Sequence, residues 1–381
     1  MIYLDNSATS YPKPKEVYEA YKNAIKYYHS NPGRGGYENS IATSEKIYET
    51  RLKAAAFFGE EKEENVIFTP SCTFAVNMVM KGVLNPGDHV LISDLEHNAV
   101  VRVLEHLRRY NSIKYDTFSV DFYDDIKTLQ SLKNAFTAQT KLVFCTHASN
   151  VLGVCLPIRK IGMLCKQNGV ILAVDGAQSA GIIPIHMKND HIDYLCLAPH
   201  KGLFAPMGTG MLIGDALRLK TVIEGGTGSQ SRSFLQPDYL PDKHESGTQN
   251  TGGIIAMSAG IDWIQKTGIE KIYRADTAHI KALWQALKDE AHIQTYVNIE
   301  KLHQFAPVFS FNIKNMPSEM IAQMLAKQGI CVRAGLHCAP LAHQKIGTLD
   351  RGTVRISSSF FTTNNDINYT ISNIKNLLLN F

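Results

Sequence analysis

Residues Lys141–Asp175 read KLVFCTHASNVLGVCLPIRKIGMLCKQNGVILAVD. Two apolar runs, Lys141–Thr146 and Val170–Asp175, flank a helical stretch at Ile158–Asn168. Strand, helix, strand in that order predicts a crossover between parallel neighbours, because a tight hairpin joins only antiparallel ones. The pattern continues on both sides. Further strands are expected at Asn65–Thr69, His89–Ser93, Ile113–Val120 and Tyr194–Leu197. Helices are expected at Thr73–Gly82, Asn98–Tyr110 and Asp124–Phe136. Apolar spacing at Val17, Ala20, Tyr21, Ala24 and Ile25 predicts an amphipathic helix over Val17–Tyr28, with another at Ser40–Phe58. The fold class is therefore α/β, with a mostly parallel sheet flanked by helices. Ligands of such sheets bind outside the C-terminal ends of the strands.

Gly225–Gly253 is rich in Gly, Ser, Thr and Gln and reads as loops. A long helix is expected over Gly253–Asp289. Beyond Ala306 the pattern is strand (Val308–Ile313), helix (Ser318–Lys327), strand (Ile330–Ala334), strand (Thr353–Ser357) and helix (Asn365–Leu379). That is a smaller α+β unit. With 381 residues the chain exceeds one ordinary core. The expected division is a large unit over 15–255 and a small C-terminal unit over 256–381, joined by the N-terminal segment 1–14.

The 39 basic and 35 acidic residues are dispersed, which gives no nucleic-acid groove and no membrane-binding face. No apolar run reaches the ~20 residues of a bilayer span. Met1–Asn6 does not read as a secretory signal. The 7 cysteines are odd in number and include no C-x-x-C pair, so neither a disulfide framework nor a zinc site is expected. A reducing cytoplasm fits that usage.

Chemistry-bearing residues cluster at the expected strand ends. Lys201 follows the buried run Tyr194–Leu197 in Ala198-Pro199-His200-Lys201-Gly202. Alone it reads as a lysine reaching solvent; a partly neutral amine there would serve as a Schiff-base lysine. Asp175 ends another apolar strand. It either caps the following helix or keeps a pyridinium nitrogen protonated. His97, in Glu96-His97-Asn98, is either structural or placed to stack on a ring and move protons. Ser71, Cys72 and Thr73 stand where a strand runs into a helix, either as plain N-caps or as an anion cradle. Each feature is weak alone, but four at the ends of one sheet point to a shared ligand.

These residues resemble the class V aminotransferases among the fold-type I pyridoxal-phosphate enzymes, and within them the cysteine desulfurases. The resemblance runs nearly end to end. It is carried by Tyr3–Thr9, Glu96-His97-Asn98, His147–Gly153, Asp175–Gln178, His200-Lys201-Gly202, Glu245–Asn250 and Arg333–Ala339. The Gly335-Leu336-His337-Cys338 segment is similar to the branch that also holds selenocysteine lyases. The resemblance implies pyridoxal phosphate held on Lys201. It places Asp175 on the ring nitrogen, His97 on the ring face and Gln178 on the phenolic oxygen. Ser71, Cys72, Thr73 and His200 would hold the phosphate. Thr248 would reach the phosphate of a neighbouring subunit in a homodimer. Asn150 and Arg355 would bind the substrate carboxylate. Ala198 stands where many relatives carry a hydroxyl, and Ser246 where they often carry alanine; both weaken the phosphate assignment.

Cys338 lies in a loop marked by glycine and proline. His337 beside it and Arg333 nearby are expected to supply positive charge, which favours thiolate. The implied reaction converts L-cysteine to L-alanine, leaves a persulfide on Cys338 and passes the sulfur to an acceptor protein. Selenocysteine lyase is the nearest alternative, followed by cysteine sulfinate desulfinase or aminotransferase. No metal is expected.

Overall fold

The computed structural model describes residues 1–33 and 35–378. Its strands, numbered in chain order, are β1 (Ile2–Tyr3), β2 (Val66–Thr69), β3 (His89–Ser93), β4 (Lys114–Phe118), β5 (Thr140–Thr146) and β6 (Ile171–Asp175). They continue with β7 (Tyr194–Leu197), β8 (Gly210–Gly214), β9 (Ile293–Thr295), β10 (Val308–Ile313), β11 (Ile330–Cys331), β12 (Arg333–Gly335) and β13 (Thr353–Ser357).

Seven strands form the large sheet in the order β2-β8-β7-β6-β5-β3-β4. Pairing is parallel from β4 through β7, while β8 runs against both β7 and β2. Alternate residues serve opposite faces, as the pleat requires. Val143 and Cys145 of β5 enter one core with Leu172 and Val174 of β6. Leu142 and Phe144 enter the other core with Val90 and Ile92 of β3. Burial on both faces explains why these strands read as continuous apolar runs.

The four-stranded antiparallel sheet has the order β12-β13-β10-β9. Its core joins Phe309, Phe311, Val354 and Ile356 to Ile280, Leu283 and Leu287 of the helix Ile269–Leu287. β1 pairs in parallel with β11. Backbone bonds then carry the N-terminal segment past β13 to the loop of Lys201. The Asn6 N–H donates to the Ser357 carbonyl, and the Ser10 N–H to the His200 carbonyl at 3.2 Å.

Two expected elements divide. The long helix over Gly253–Asp289 is two helices, Thr251–Thr267 and Ile269–Leu287, broken where Gly268 takes a φ of +89°. The strand Ile330–Ala334 divides at Val332, its halves pairing with β1 and β13. β8 was not expected. For the C-terminal helix the structure describes Asn364–Leu378, and Leu379 lies outside the described residues. Among the described residues no helix is long and apolar enough to cross a membrane.

Candidate active site

A cavity with about 560 Å³ of empty space opens at the C-terminal ends of the parallel strands. Ser71, Cys72, Thr73, His97, Asn150, Asp175, Gln178, His200 and Lys201 all line it. Nine of the eleven residues expected to bind cofactor or substrate therefore meet in one place. Thr248 and Arg355 are the other two, and Cys338 also stands outside the lining.

Each lining residue is set by its element. Lys201 follows β7, whose buried Tyr194–Leu197 run delivers it to the sheet edge. Burial lowers the pKa of its amine; Asp175 opposes that shift and does not cancel it. A larger neutral fraction makes the amine a better nucleophile toward an aldehyde. Asp175 ends β6, and its Oδ1 accepts from the Ala177 N–H at 2.9 Å. The Cys72 Sγ lies 3.6 Å from the same oxygen. No helix follows Asp175, so this bond closes a turn rather than capping a helix, and the second carboxylate oxygen is left for a ring.

His97 is the N-cap of the helix Asn98–Tyr110, its Nδ1 accepting from the Ala99 N–H at 3.1 Å. Accepting at Nδ1 assigns the proton to Nε2. Burial lowers the pKa and keeps the imidazole neutral. Below it, Glu96 is fully enclosed. Its Oε1 accepts from the Thr146 N–H at 2.8 Å and from the Ser93 hydroxyl. Burial pushes the Glu96 carboxyl up to about 8, and its Oε2 has no partner.

At the helix Cys72–Val83, Ser71 is the N-cap and accepts from the Phe74 N–H at 3.2 Å. Gly210 on β8 permits this close approach, since a Cβ there would lie 2.3 Å from the Ser71 carbonyl carbon. Gln178 donates to the Ser7 carbonyl at 3.1 Å, leaving one amide hydrogen free. The His200 Nδ1 meets the Thr9 hydroxyl at 3.2 Å; burial pushes its pKa down to about 4, so the ring is neutral. Ala198 lines the cavity without a hydroxyl.

The Cys338 loop is bonded to Asn150 of the cavity and to Asn98 beside it. His337 and Cys338 both lie in the left-handed region, at φ 50° and 57°, a conformation that costs a non-glycine residue about 1–3 kcal/mol. Two bonds from the large-sheet side hold it. The Asn98 N–H donates to the Cys338 carbonyl, and the Asn150 amide to the His337 carbonyl, each at 2.7 Å. Cys338 itself is exposed. The expectation that His337 lends it positive charge is corrected. His337 is buried with its Nε2 on the Thr353 carbonyl at 3.1 Å, and burial pushes its pKa down to about 2. Arg333 remains the exposed cation of this segment.

Arg355 lies outside the cavity's lining. Only 1% of it is exposed, and its fork is already engaged. Nη2 contacts the Asp5 carboxylate at 2.6 Å and Nη1 the Asn150 carbonyl at 3.2 Å, while Nε has no partner. Asp5 is a functional candidate that the sequence did not assign. Thr248 is exposed and lines a separate cavity with Thr69, Pro70 and His244. Among the described residues no cluster of His, Cys, Asp or Glu could hold a metal.

The donor set fits pyridoxal phosphate. An amine of lowered pKa, a strand-end carboxylate with Oδ2 left open, a neutral histidine and a capped helix start share one cavity.

A family profile for aminotransferase class V matches residues 2–370. Among curated proteins, a probable cysteine desulfurase of Methanothermobacter thermautotrophicus is 30% identical, over 96% of this chain and 92% of that one. One from Pyrococcus abyssi is 31% identical, over 94% of this chain and 89% of that one. Among solved structures, the apo structure of a cysteine desulfurase from Thermococcus onnurineus superposes with a TM-score of 0.91 at 29% identity, covering 100% of this chain and 95% of that one. The E. coli cysteine desulfurase CsdA, at 24% identity and a TM-score of 0.87, shares the fold. With its strand-end lysine, carboxylate and histidine set on this sheet, the chain belongs to the class V aminotransferase family of fold-type I, pyridoxal-phosphate-dependent enzymes.

Proposed function

We infer that the chain is a cysteine desulfurase that converts L-cysteine to L-alanine and takes the sulfur onto Cys338 as a persulfide. One observation carries this reading. An exposed cysteine sits on a loop whose backbone is bonded to Asn98 and to Asn150, and Asn150 lines the cavity that holds Lys201 and Asp175. The relatives bearing that name support it.

When bound, pyridoxal phosphate supplies an aldehyde and a ring that draws electrons from the substrate α-carbon. Lys201 would hold the cofactor through its amine, and the same amine would move the substrate α-proton. Asp175 would keep the ring nitrogen protonated through Oδ2, and His97 would lie against the ring with its Nε2–H. Gln178 would offer its remaining amide hydrogen to the phenolic oxygen. Ser71, Thr73 and His200 would hold the phosphate at the helix start. Asn150 and Arg355 orient the substrate carboxylate, Arg355 being held by Asp5. The Cys338 thiolate forms a bond to the substrate sulfur as the carbon–sulfur bond breaks. The carbon fragment keeps that electron pair, takes a proton and leaves as alanine. An acceptor thiol on another protein then removes the outer sulfur by exchange.

The same proposal includes a cytoplasmic homodimer in which Thr248 reaches the partner's phosphate, and the division into units 15–255 and 256–381 joined by 1–14. Anaerobic turnover of the holoenzyme with L-cysteine tests the reaction. The parent should release alanine and accumulate protein-bound sulfane sulfur in equal amounts. Cys338→Ala should keep the cofactor spectrum and lose the persulfide; equal persulfide in both proteins removes Cys338 from the reaction. Turnover of L-selenocysteine alone by the parent would assign the chain to the lyases.

A further inference from the structure

We propose that Cys72 is a positioning residue for Asp175: its S–H bond to one carboxylate oxygen turns the other toward the ring nitrogen of the cofactor. This rests on the cofactor site inferred above. It moves Cys72 from the phosphate, where the resemblance put it, to the ring nitrogen.

The geometry is specific. Cys72 Sγ and Asp175 Oδ1 are 3.6 Å apart, across 103 residues of sequence. The Ala177 N–H reaches the same Oδ1 at 2.9 Å. Two donors on Oδ1 fix the rotation of the carboxylate and leave Oδ2 as its open face. The direction of the bond follows from protonation. Burial, and next the Asp175 charge, push the Cys72 thiol well above its ordinary value of 9.0, so sulfur keeps its hydrogen and donates it. A thiol in that state is a poor nucleophile, which separates Cys72 from Cys338 in a site that handles sulfur.

Local structure frees Cys72 for this task. Ser71 already caps the helix through the Phe74 N–H, so the Cys72 side chain is not needed there. Among the described cysteines, Cys72 alone lines the cavity. A thiol is also a weaker donor than a hydroxyl. It orients Asp175 while withdrawing little of the negative charge that keeps a pyridinium protonated.

Two measurements test this. In cofactor-free protein, the S–H stretching band of Cys72 is isolated by infrared difference against Cys72→Ala. It should lie at the lower frequency of a bonded thiol and shift upward in Asp175→Asn. In the reconstituted protein, Cys72→Ala should bind pyridoxal phosphate several-fold more weakly and shift the pH titration of the cofactor's visible band. Cys72→Ser, which keeps a donor, should recover most of both.

An S–H band indifferent to Asp175→Asn would overturn the proposal. So would parent affinity and an unmoved titration in Cys72→Ala. The infrared measurement needs no cofactor. A bonded thiol in a protein that takes up no pyridoxal phosphate would therefore refute the proposed function and the cofactor-facing role, while leaving the contact established.

Discussion

Burial of Glu96 makes folding pay for a carboxyl that the unfolded chain ionises freely. Its pKa stands at about 8 in the fold against an ordinary 4.5. The fold therefore holds the proton across a range where the unfolded chain has released it. Stability attributable to this group is full below about pH 4.5, falls as pH rises, and is lost above about 8. Its size is on the order of a few kcal/mol. Glu96→Gln keeps the oxygen that accepts from Thr146 and removes the titration. Urea unfolding at pH 5 and pH 8 should show the parent losing stability over that interval and the variant losing much less. Lys201, Asp175 and His97 were legible in the sequence because each is a chemically capable residue at the end of an apolar strand. The Asp5–Arg355 and Cys72–Asp175 contacts were not. Their partners lie 350 and 103 residues apart, and no local pattern records such a pairing. The inward turn of His337 was equally hidden, since adjacency to Cys338 says nothing about which side of the backbone a ring takes.

At the scale of elements, strands buried on both faces were the most readable. His89–Ser93, Tyr194–Leu197, Val308–Ile313 and Thr353–Ser357 have the bounds that their apolar runs predict. β8 escaped because Gly-Met-Leu-Ile-Gly offers three apolar residues between two glycines, which reads as a loop. Its first glycine is what lets β8 lie beside the helix start of the site. Gly210→Ala would set a Cβ 2.3 Å from the Ser71 carbonyl carbon and 2.5 Å from the Thr69 hydroxyl oxygen. Backbone must then move, at about 1–3 kcal/mol. Chemical denaturation should show that loss. Equilibrium dialysis should show weaker cofactor retention, because Ser71 lines the cavity. An unchanged affinity would mean that the helix start does not hold the cofactor. The break at Gly268 has the same lesson: helical periodicity runs through Thr267 and Ile269, and only the positive φ ends one helix and begins the next.

For the whole molecule, the N-terminal segment ties the two sheets together at the site. Leu4 belongs to the small-sheet core, Ser7 receives Gln178, Thr9 meets His200, and Asp5 neutralises the buried Arg355. Asp5→Asn leaves that guanidinium without its counter-charge. Removing one partner of a fully buried pair costs about 3–5 kcal/mol. Asp5 keeps 21% of its side chain exposed, so about 2 kcal/mol is expected by denaturation, with a raised KM for L-cysteine. The proposed dimer has its own test. Thr248→Val and Lys201→Ala should each be defective, and mixed subunits should regain activity, since one site per pair is then intact. No recovery would place Thr248 in its own subunit's chemistry. The account depends above all on a covalent link at Lys201. Borohydride reduction of the reconstituted protein followed by peptide mapping reads that link directly. A single pyridoxyl group on Lys201 is expected; a group on another lysine, or none, would contradict it.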